Sequence, residues 1–432
     1  MGFTLGIRRE DKNKWERRVP LVPEHIKELN KKHGIETIIQ PSKIRTFSEK
    51  DFKNAGALID EDLSSCPVVF AIKEIPINFF EPLKTYVFFS HTIKGQNHNM
   101  PMLKKMMELG CNLIDYERVT DEKGHRLVFF GRFAGLAGMI DTLWAFGQKI
   151  KWEGIKTPFA EIKQTIHYND INDVKKHIRK IGKKIEQEGL PSSLTPFIVG
   201  FAGYGNVSNG AQEILDILPV KEISPKQIKD IYKNFSNKII YKIVFKEEDI
   251  VESISSKKDF DLQDYYNNPH LYRSVFHQYI KHLNILMNCI LWNKQYPRLV
   301  TKEFLKKNNM SKMKLKVIGD ISVDVNGAIE FTEKVTTPGC PVFIYNPLNG
   351  EIVDGYEGNG IVVMAVDNLP CEVPKESSQA FSDSLFRFIP TIVKADFSAD
   401  FINLSLPPEI KKAVILHHGK LTPDYRYINK FL

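Results

Sequence analysis

The chain has 432 residues, of which 42% are hydrophobic and 26% charged, and its formal net charge is +8. That length supports two or three domains that each bury a core, and the composition excludes a disordered or fibrous chain. No apolar run is long enough to span a membrane, and the scattered lysines come with no zinc-finger spacing or aromatic RNA-binding signature, which argues against nucleic acid; a mild positive field suits an anionic substrate and a phosphorylated cofactor.

Over the N-terminal third, short strands alternate with helices. "FTLGIRRE" predicts a strand, "VPEHIKELNKKHG" a helix closing on Gly34, and "IETIIQ" a second strand. "SEKDFKNAG" predicts a helix opened by a Ser with a downstream acid and ended by Gly56. "PVVFAIKE" and "YVFFSHT" predict strands, "NMPMLKKMMELG" a helix with proline in its first turn, and "CNLIDYER" another strand. This βαβ rhythm predicts a parallel sheet. Two of its strands end in a titratable side chain, Lys73 and His91, and the C-terminal ends of strands are where open α/β sheets bind ligands.

"GRFAGLAGMIDTLWAFGQKIKWEG" predicts a long apolar helix, a candidate crossover between domains, whose small residues Ala134, Gly135, Ala137 and Gly138 permit close packing. In "DVKKHIRKIGKKIEQ" the residues Val174, Ile178, Ile181 and Ile185 recur at helical spacing, so the 171–188 helix buries that stripe and its lysines cover the solvated face. The strand Phe197–Phe201 then runs into Gly203, Tyr204, Gly205, Asn206, Val207 and Ser208, followed at once by a helix. This is GxGxxG with Ser in the third glycine's place, between a strand and a helix as dinucleotide binding requires. Gly203 permits the tight turn, Gly205 lets a pyrophosphate approach, and Ser208 is small enough for close packing.

The next strand is read as "VKEIS". Its end carries Ser224, Pro225 and Lys226 and no acid for a ribose 2′-OH, which favours NADP over NAD; Glu222, two residues earlier, would reverse that reading if the strand ended there. "HLNILMNCILW" predicts a strand ending near Asn288, "KLKVIGDISVDVNGAIEF" one ending in Asp320 and Asp324, and "GIVVMAVDNLPCEVP" one ending in Asp367 and Asn368. "SDSLFRFIPTIVKADF" predicts a helix, and the paired histidines at 417–418 lie near a loop. The five cysteines have no metal-ligand spacing and read as reduced thiols; with no HExxH pattern, no metal site is expected. The N-terminus shows no apolar signal region, which points to the cytoplasm.

The segments "RRVPLVPEHIKEL", "VVFAIKEIP", "FFSHTIKGQ", "LIDYERV", "GHRLVFFGRFAGLAGMID", "TPFIVGFAGYGNVSNGAQEIL", "PRLVTKEFL", "GDISVDVNGAIEF" and "VDNLPCEVP", in that order, resemble the lysine–ketoglutarate reductase part of aminoadipate-semialdehyde synthases. More broadly, the chain is similar to the alanine dehydrogenase and lysine-forming saccharopine dehydrogenase superfamily. The resemblance implies two Rossmann-like α/β domains with parallel sheets flanking a central cleft. The first would be discontinuous, 1–136 with 371–432, and the second, 137–370, would hold the dinucleotide. It implies Lys73 and His91 as the catalytic pair, Arg18 on a substrate carboxylate, Glu117 and Arg126 lining the site, and Asp324 or Asp320 near the nicotinamide. Asn288 and Asn368, at strand ends, join the cofactor-binding set with Gly203, Gly205, Asn206, Val207, Ser208, Ser224 and Lys226.

The implied reaction is NADPH-dependent reductive amination of 2-oxoglutarate by L-lysine to saccharopine, the first step of lysine degradation by that route. The expected partners are these small molecules, with no nucleic acid and no membrane; a homo-oligomer is compatible with the reading. In animals and plants this reductase is usually fused to a saccharopine-splitting dehydrogenase, and the sequence ends where that would begin, so either a separate enzyme is expected for the product or the chain serves another route. Three other readings stand beside this one: an NAD-dependent lysine-forming saccharopine dehydrogenase, a related amino-acid or opine dehydrogenase, and a non-catalytic binding protein.

Overall fold

The computed structural model describes residues 2–255, 259–308 and 313–432. The chain divides into two compact units, Met1–Phe130 with Pro374–Leu432 and Gly131–Val373. The second unit begins with the long helix Gly131–Trp152 in its entirety.

The first unit is built on β1 (Phe3–Ile7), β2 (Ile35–Ile39), β3 (Leu58–Ile59), β4 (Val68–Phe70), β5 (Thr85–Phe88) and β6 (Asn112–Asp115). These lie in the order β3-β2-β1-β4-β5-β6, all parallel. The chain leaves β1 toward one edge and returns to its other side with β4, so the switch point where such sheets bind ligands lies between the ends of β1 and β4. Local chemistry sets the connections. Ser48 and Asp51 form a reciprocal capping box on the helix Glu49–Asn54. The helix Pro23–Glu28 widens into a π turn, Leu29–His33, and stops at Gly34 with φ 64°.

The returning segment corrects two expectations. Val414–His417 and Lys420–Leu421 extend the sheet beyond β6 as antiparallel strands, so the sheet is not wholly parallel; His417 ends the first of them and His418 stands in the turn, near a loop as expected. The apolar run "AVIL" is buried there, which is what drives it into the sheet. The expected single helix is two, Pro374–Phe386 and Ile389–Lys394, with Pro390 in the first turn of the second, where its missing N–H breaks no ladder.

The second unit holds β7 (Phe197–Ala202), β8 (Val220–Glu222), β9 (Ile240–Phe245), a ribbon of β10 (Val251–Ser253) and β11 (Tyr272–Ser274), then β12 (Ile285–Asn288), β13 (Val317–Asp320), β14 (Val342–Tyr345), β15 (Ile352–Asp354) and β16 (Ile361–Met364). Its sheet runs β15-β14-β16-β13-β12-β7-β9-β8, parallel except for β14 and β15. Here the sequence reading is corrected: the "VKE" strand β8 is the edge, and the neighbour of β7 is β9, "IYKIVF". All six residues of β7 pair with β9.

The helix Asn206–Leu215 that follows β7 is fixed by close approach to the long helix. A Cβ on Gly135 would fall 2.0 Å from the Val207 carbonyl oxygen, and one on Gly210 would fall 2.1 Å from that of Arg132. The predicted stripe Val174, Ile178, Ile181 and Ile185 is buried along Ile171–Glu188.

Candidate active site

In the first unit, the ends of β1, β4, β5 and β6 carry a connected set of charged side chains. After β1 the buried Glu10 reaches across to the end of β4. The backbone N–H of Ile72 donates to its Oε1 (2.6 Å) and that of Lys73 to its Oε2 (3.0 Å). Glu10 therefore fixes the peptide that carries Lys73. Burial, helped by the Glu16 charge, pushes the Glu10 carboxyl up to about 7 against those two hydrogen bonds.

Burial lowers the Lys73 ammonium pKa, and the Arg18 charge lowers it further. Both effects favour a neutral amine. Beside it, Glu74 Oε1 lies 2.7 Å from His91 Nδ1, and Glu74 Oε2 pairs with Lys12 at 2.9 Å. Burial opposes ionisation of Glu74, but the His91 hydrogen bond and charge hold its carboxyl well below the usual range. His91 itself stands at φ 49°, in the left-handed region that side chains rarely adopt, and its carbonyl accepts from Asn99 Nδ2 (3.2 Å). The strand pairing continues beyond β4 and β5, with the Phe89 N–H donating to the Ile72 carbonyl (3.0 Å). Lys73 and His91 thus sit on adjacent parallel tails, and Glu74, next to Lys73 in the chain, is the residue bonded to His91.

Arg18 is buried and forked. Its Nε and Nη2 donate to Glu16 at 2.7 and 2.6 Å, and its guanidinium lies 4.2 Å from the Phe130 ring centroid. The returning helix Pro374–Phe386 anchors this loop: Ser378 Oγ accepts from Val19 N–H (3.0 Å), Ser382 Oγ from Val22 N–H (3.1 Å), and Phe381 stacks on Phe130. At the end of β6, Asp115 accepts from the Ser90 N–H (3.1 Å) and hydroxyl and from the Glu117 N–H (2.8 Å), and burial pushes it up to about 6. Glu117 pairs with the half-exposed Arg126.

In the second unit, Gly203 turns at φ 97°, with its N–H donating to the Phe245 carbonyl at the end of β9 (3.0 Å). A Cβ on Gly205 would meet nothing within 4 Å, which leaves room for a pyrophosphate at the start of the Asn206–Leu215 helix. Ser208 is fully buried, as close packing at that position requires. Beside the turn lies a cavity of about 470 Å³ lined by residues including Gly203, Tyr204, Gly205, Glu247, Tyr265 and Tyr266. Glycine turn, helix start and cavity together fit a dinucleotide.

The other sequence-predicted residues divide. Asn288 Nδ2 donates to Asp320 (2.8 Å), which also accepts from the Thr332 hydroxyl (2.6 Å) and the Val323 N–H (3.2 Å). Burial pushes Asp320 up to about 6, with the Asp324 charge adding to the shift. Asp320 is therefore tied into the scaffold at the end of β13. Asn368 precedes the short turn Leu369–Glu372. Ser224 caps the turn Pro225–Ile228 after the edge strand, and Lys226 is exposed; neither lines the cavity. Glu10, Glu16, Glu74, Asp115 and Glu247 were not singled out from sequence. For Glu74 and Glu247 the signal was available, since both follow a short apolar strand directly, in "VVFAIKE" and "IVFKE". Among the described residues no His, Cys, Asp or Glu group is arranged to hold a metal ion, and no helix is long and apolar enough to cross a membrane.

Residues 6–137 match the alanine dehydrogenase/PNT N-terminal domain, and residues 220–424 match the corresponding C-terminal domain. The chain is 36% identical over 441 residues to alpha-aminoadipic semialdehyde synthase of Arabidopsis thaliana, across 98% of this chain and 41% of that protein. It is 34% identical over 443 residues to the mitochondrial alpha-aminoadipic semialdehyde synthase of Rattus norvegicus, across 99% and 47%. It spans less than half the length of these two curated relatives. The NAD(+), L-lysine-forming saccharopine dehydrogenase of Emericella nidulans is 25% identical over 368 residues, 82% of each chain. In fold, a solved L-alanine dehydrogenase is similar with a TM-score of 0.63 at 15% identity, covering 99% of this chain and 100% of that one. With both domain models matched in order and that fold shared, the chain belongs to the alanine dehydrogenase/PNT family.

Proposed function

We propose that this chain is a lysine–ketoglutarate reductase, an oxidoreductase acting on a CH–NH group that joins L-lysine and 2-oxoglutarate into saccharopine. The observation that carries the reading is the placement of Lys73 and His91 on adjacent strand ends, with Glu74, the residue after Lys73, hydrogen-bonded to His91. The similarity to alpha-aminoadipic semialdehyde synthases along nearly the whole chain supports the substrate class.

Lys73, favoured as a neutral amine, takes a proton from the ε-ammonium of the substrate lysine. The freed amine forms a C–N bond to the keto carbon. His91 gives one proton to the carbonyl oxygen and the attacking nitrogen gives up another, so that the oxygen leaves as water and a protonated imine remains. The His91 Nδ1–H donates to Glu74, so Nε2 is the atom that moves the proton. Arg18 and Arg126 provide the positive charge for substrate carboxylates, sharing it with Glu16 and Glu117. Glu117 and Asp324 hold the amino-acid end, and Asp320, through Asn288 and Thr332, shapes the end of β13. Gly203, Gly205, Asn206, Val207 and Ser208 would hold a reduced nicotinamide dinucleotide, whose chemistry would be hydride donation to the imine carbon. The same groups serve the reverse, lysine-forming direction. A saccharopine-splitting reaction would consume the product.

The test is oxidation of the reduced dinucleotide with L-lysine and 2-oxoglutarate, each omitted in turn. Oxidation should require both, and the product should have the mass of saccharopine. Oxidation with the keto acid alone would overturn the reading.

A further inference from the structure

The strand order places an acid where the sequence reading had none. The residue that follows the strand next to the glycine turn stands closest to the adenosine ribose of a bound dinucleotide. That strand is β9, whose Ala202↔Phe245 pairing and Gly203–Phe245 hydrogen bond bring its end level with the turn. Two residues on comes Glu247, which lines the cavity. Its Oε1 accepts from the Tyr266 hydroxyl at 2.7 Å, so the carboxylate is held at the wall beside the Tyr265 and Tyr266 rings.

The alternatives lie elsewhere. Ser224 and Lys226 follow the edge strand, one strand further out. Glu222 is engaged with Lys242 at 3.1 Å. Lys246 precedes Glu247 but is exposed, and neither it nor Lys226 lines the cavity. The charge facing the cavity from the end of β9 is therefore negative.

We infer that Glu247 makes this site select a dinucleotide with a free adenosine 2′-hydroxyl, NAD(H), and exclude the 2′-phosphorylated NADP(H). A carboxylate accepts hydrogen bonds from a ribose diol. The same carboxylate within a few ångströms of a phosphate meets two negative charges, with no cation among the described lining residues to offset them. The inference rests on reading the cavity as the dinucleotide site.

Isothermal titration of the full chain with NADH and with NADPH tests it, with no turnover required. The parent should bind NADH tighter by about tenfold or more, as expected where like charges are set against one ligand. Glu247→Ser and Glu247→Gln should each raise NADPH affinity by about tenfold or more by removing that charge. Glu247→Gln keeps an acceptor for Tyr266, so a gain in this variant reports the charge and not the Tyr266 contact. Glu248→Gln, a neighbouring exposed acid outside the cavity, should leave the preference unchanged. Equal or tighter NADPH binding by the parent, or a preference unmoved by both Glu247 variants, overturns the inference while leaving the dinucleotide site intact. Binding of neither dinucleotide overturns the site and the inference together.

Discussion

The two sheets begin alike and diverge at the second strand. In the first unit β2, the next strand in the chain, pairs directly with β1. In the second unit β8, the next strand, goes to the edge and β9 fills the place beside β7. The ends also differ in chemistry. Those of β1, β4, β5 and β6 carry charged side chains bonded to their neighbours, Glu10 to the Lys73 backbone, Arg18 to Glu16, His91 to Glu74 and Asp115 to Ser90, whereas the ends of β7, β9 and β12 frame a cavity walled by tyrosines and apolar groups with a single acid, Glu247, among the described lining residues. On the proposed function, one frame moves protons and the other binds. A variant in the first should therefore damage turnover without binding of the dinucleotide, and a variant in the second should do the reverse.

The sharpest separation is expected from Lys73→Met and His91→Gln. Each should lower kcat by roughly 10²- to 10⁴-fold, the usual contribution of a general acid or base, while dinucleotide affinity stays within about twofold of the parent on that separation. A matching loss of affinity in either variant would merge the two regions. Glu74→Gln should act in the same direction but less. Losing one charge-assisted hydrogen bond to His91 costs about 1.5–3 kcal/mol, roughly 10- to 100-fold in kcat, with dinucleotide affinity again unchanged by titration.

The converse variant is Gly210→Ala. Its Cβ would meet the Arg132 carbonyl at 2.1 Å, which forces the two helices apart at a cost of about 1–3 kcal/mol of stability. The start of the Asn206–Leu215 helix moves with them, so dinucleotide affinity should fall, as read by titration beside a denaturant curve. Undiminished affinity would show that the helix start does not hold the cofactor.

The smallest effect concerns pH. The folded-state pKa of Glu10 is raised from 4.5 to about 7, so between those values the folded protein binds more protons than the unfolded chain. Its stabilising contribution is complete below about 4.5 and is lost as the pH rises toward 7. The stability of the parent relative to Glu10→Gln should fall across that window, measured by urea unfolding at stepped pH. A flat difference would mean that Glu10 is not held in the protonated form.

Much of this was legible because local chemistry and tertiary placement agree. The Ser48 cap, the Val174 to Ile185 stripe, and the glycine turn between β7 and its helix all depend on near neighbours in the chain. The position of Lys73 and His91 just beyond two apolar strands was legible from pattern, while their catalytic role is implied only by the family resemblance. The partners of these residues were not legible. Glu10 and Glu16 lie in the loop after β1, and only the neighbouring of β1 with β4 brings Glu10 to Lys73. Strand order is likewise decided by packing, and "VKEIS" and "IYKIVF" are equally good strands by pattern. The buried "AVIL" run gave a strand signal, but its antiparallel seat beside β6 depends on a partner three hundred residues away.

The central claim is that the first unit's strand ends move the protons that join an amine to a keto acid, and that a bound dinucleotide reduces the product. Lysine labelled with ¹⁵N at the ε position, unlabelled 2-oxoglutarate and NADH deuterated at the transferable position test it in one reaction. The account predicts one product carrying both the ¹⁵N, as a secondary amine, and one deuterium on the former keto carbon. Deuterium in a hydroxy acid without ¹⁵N would contradict it.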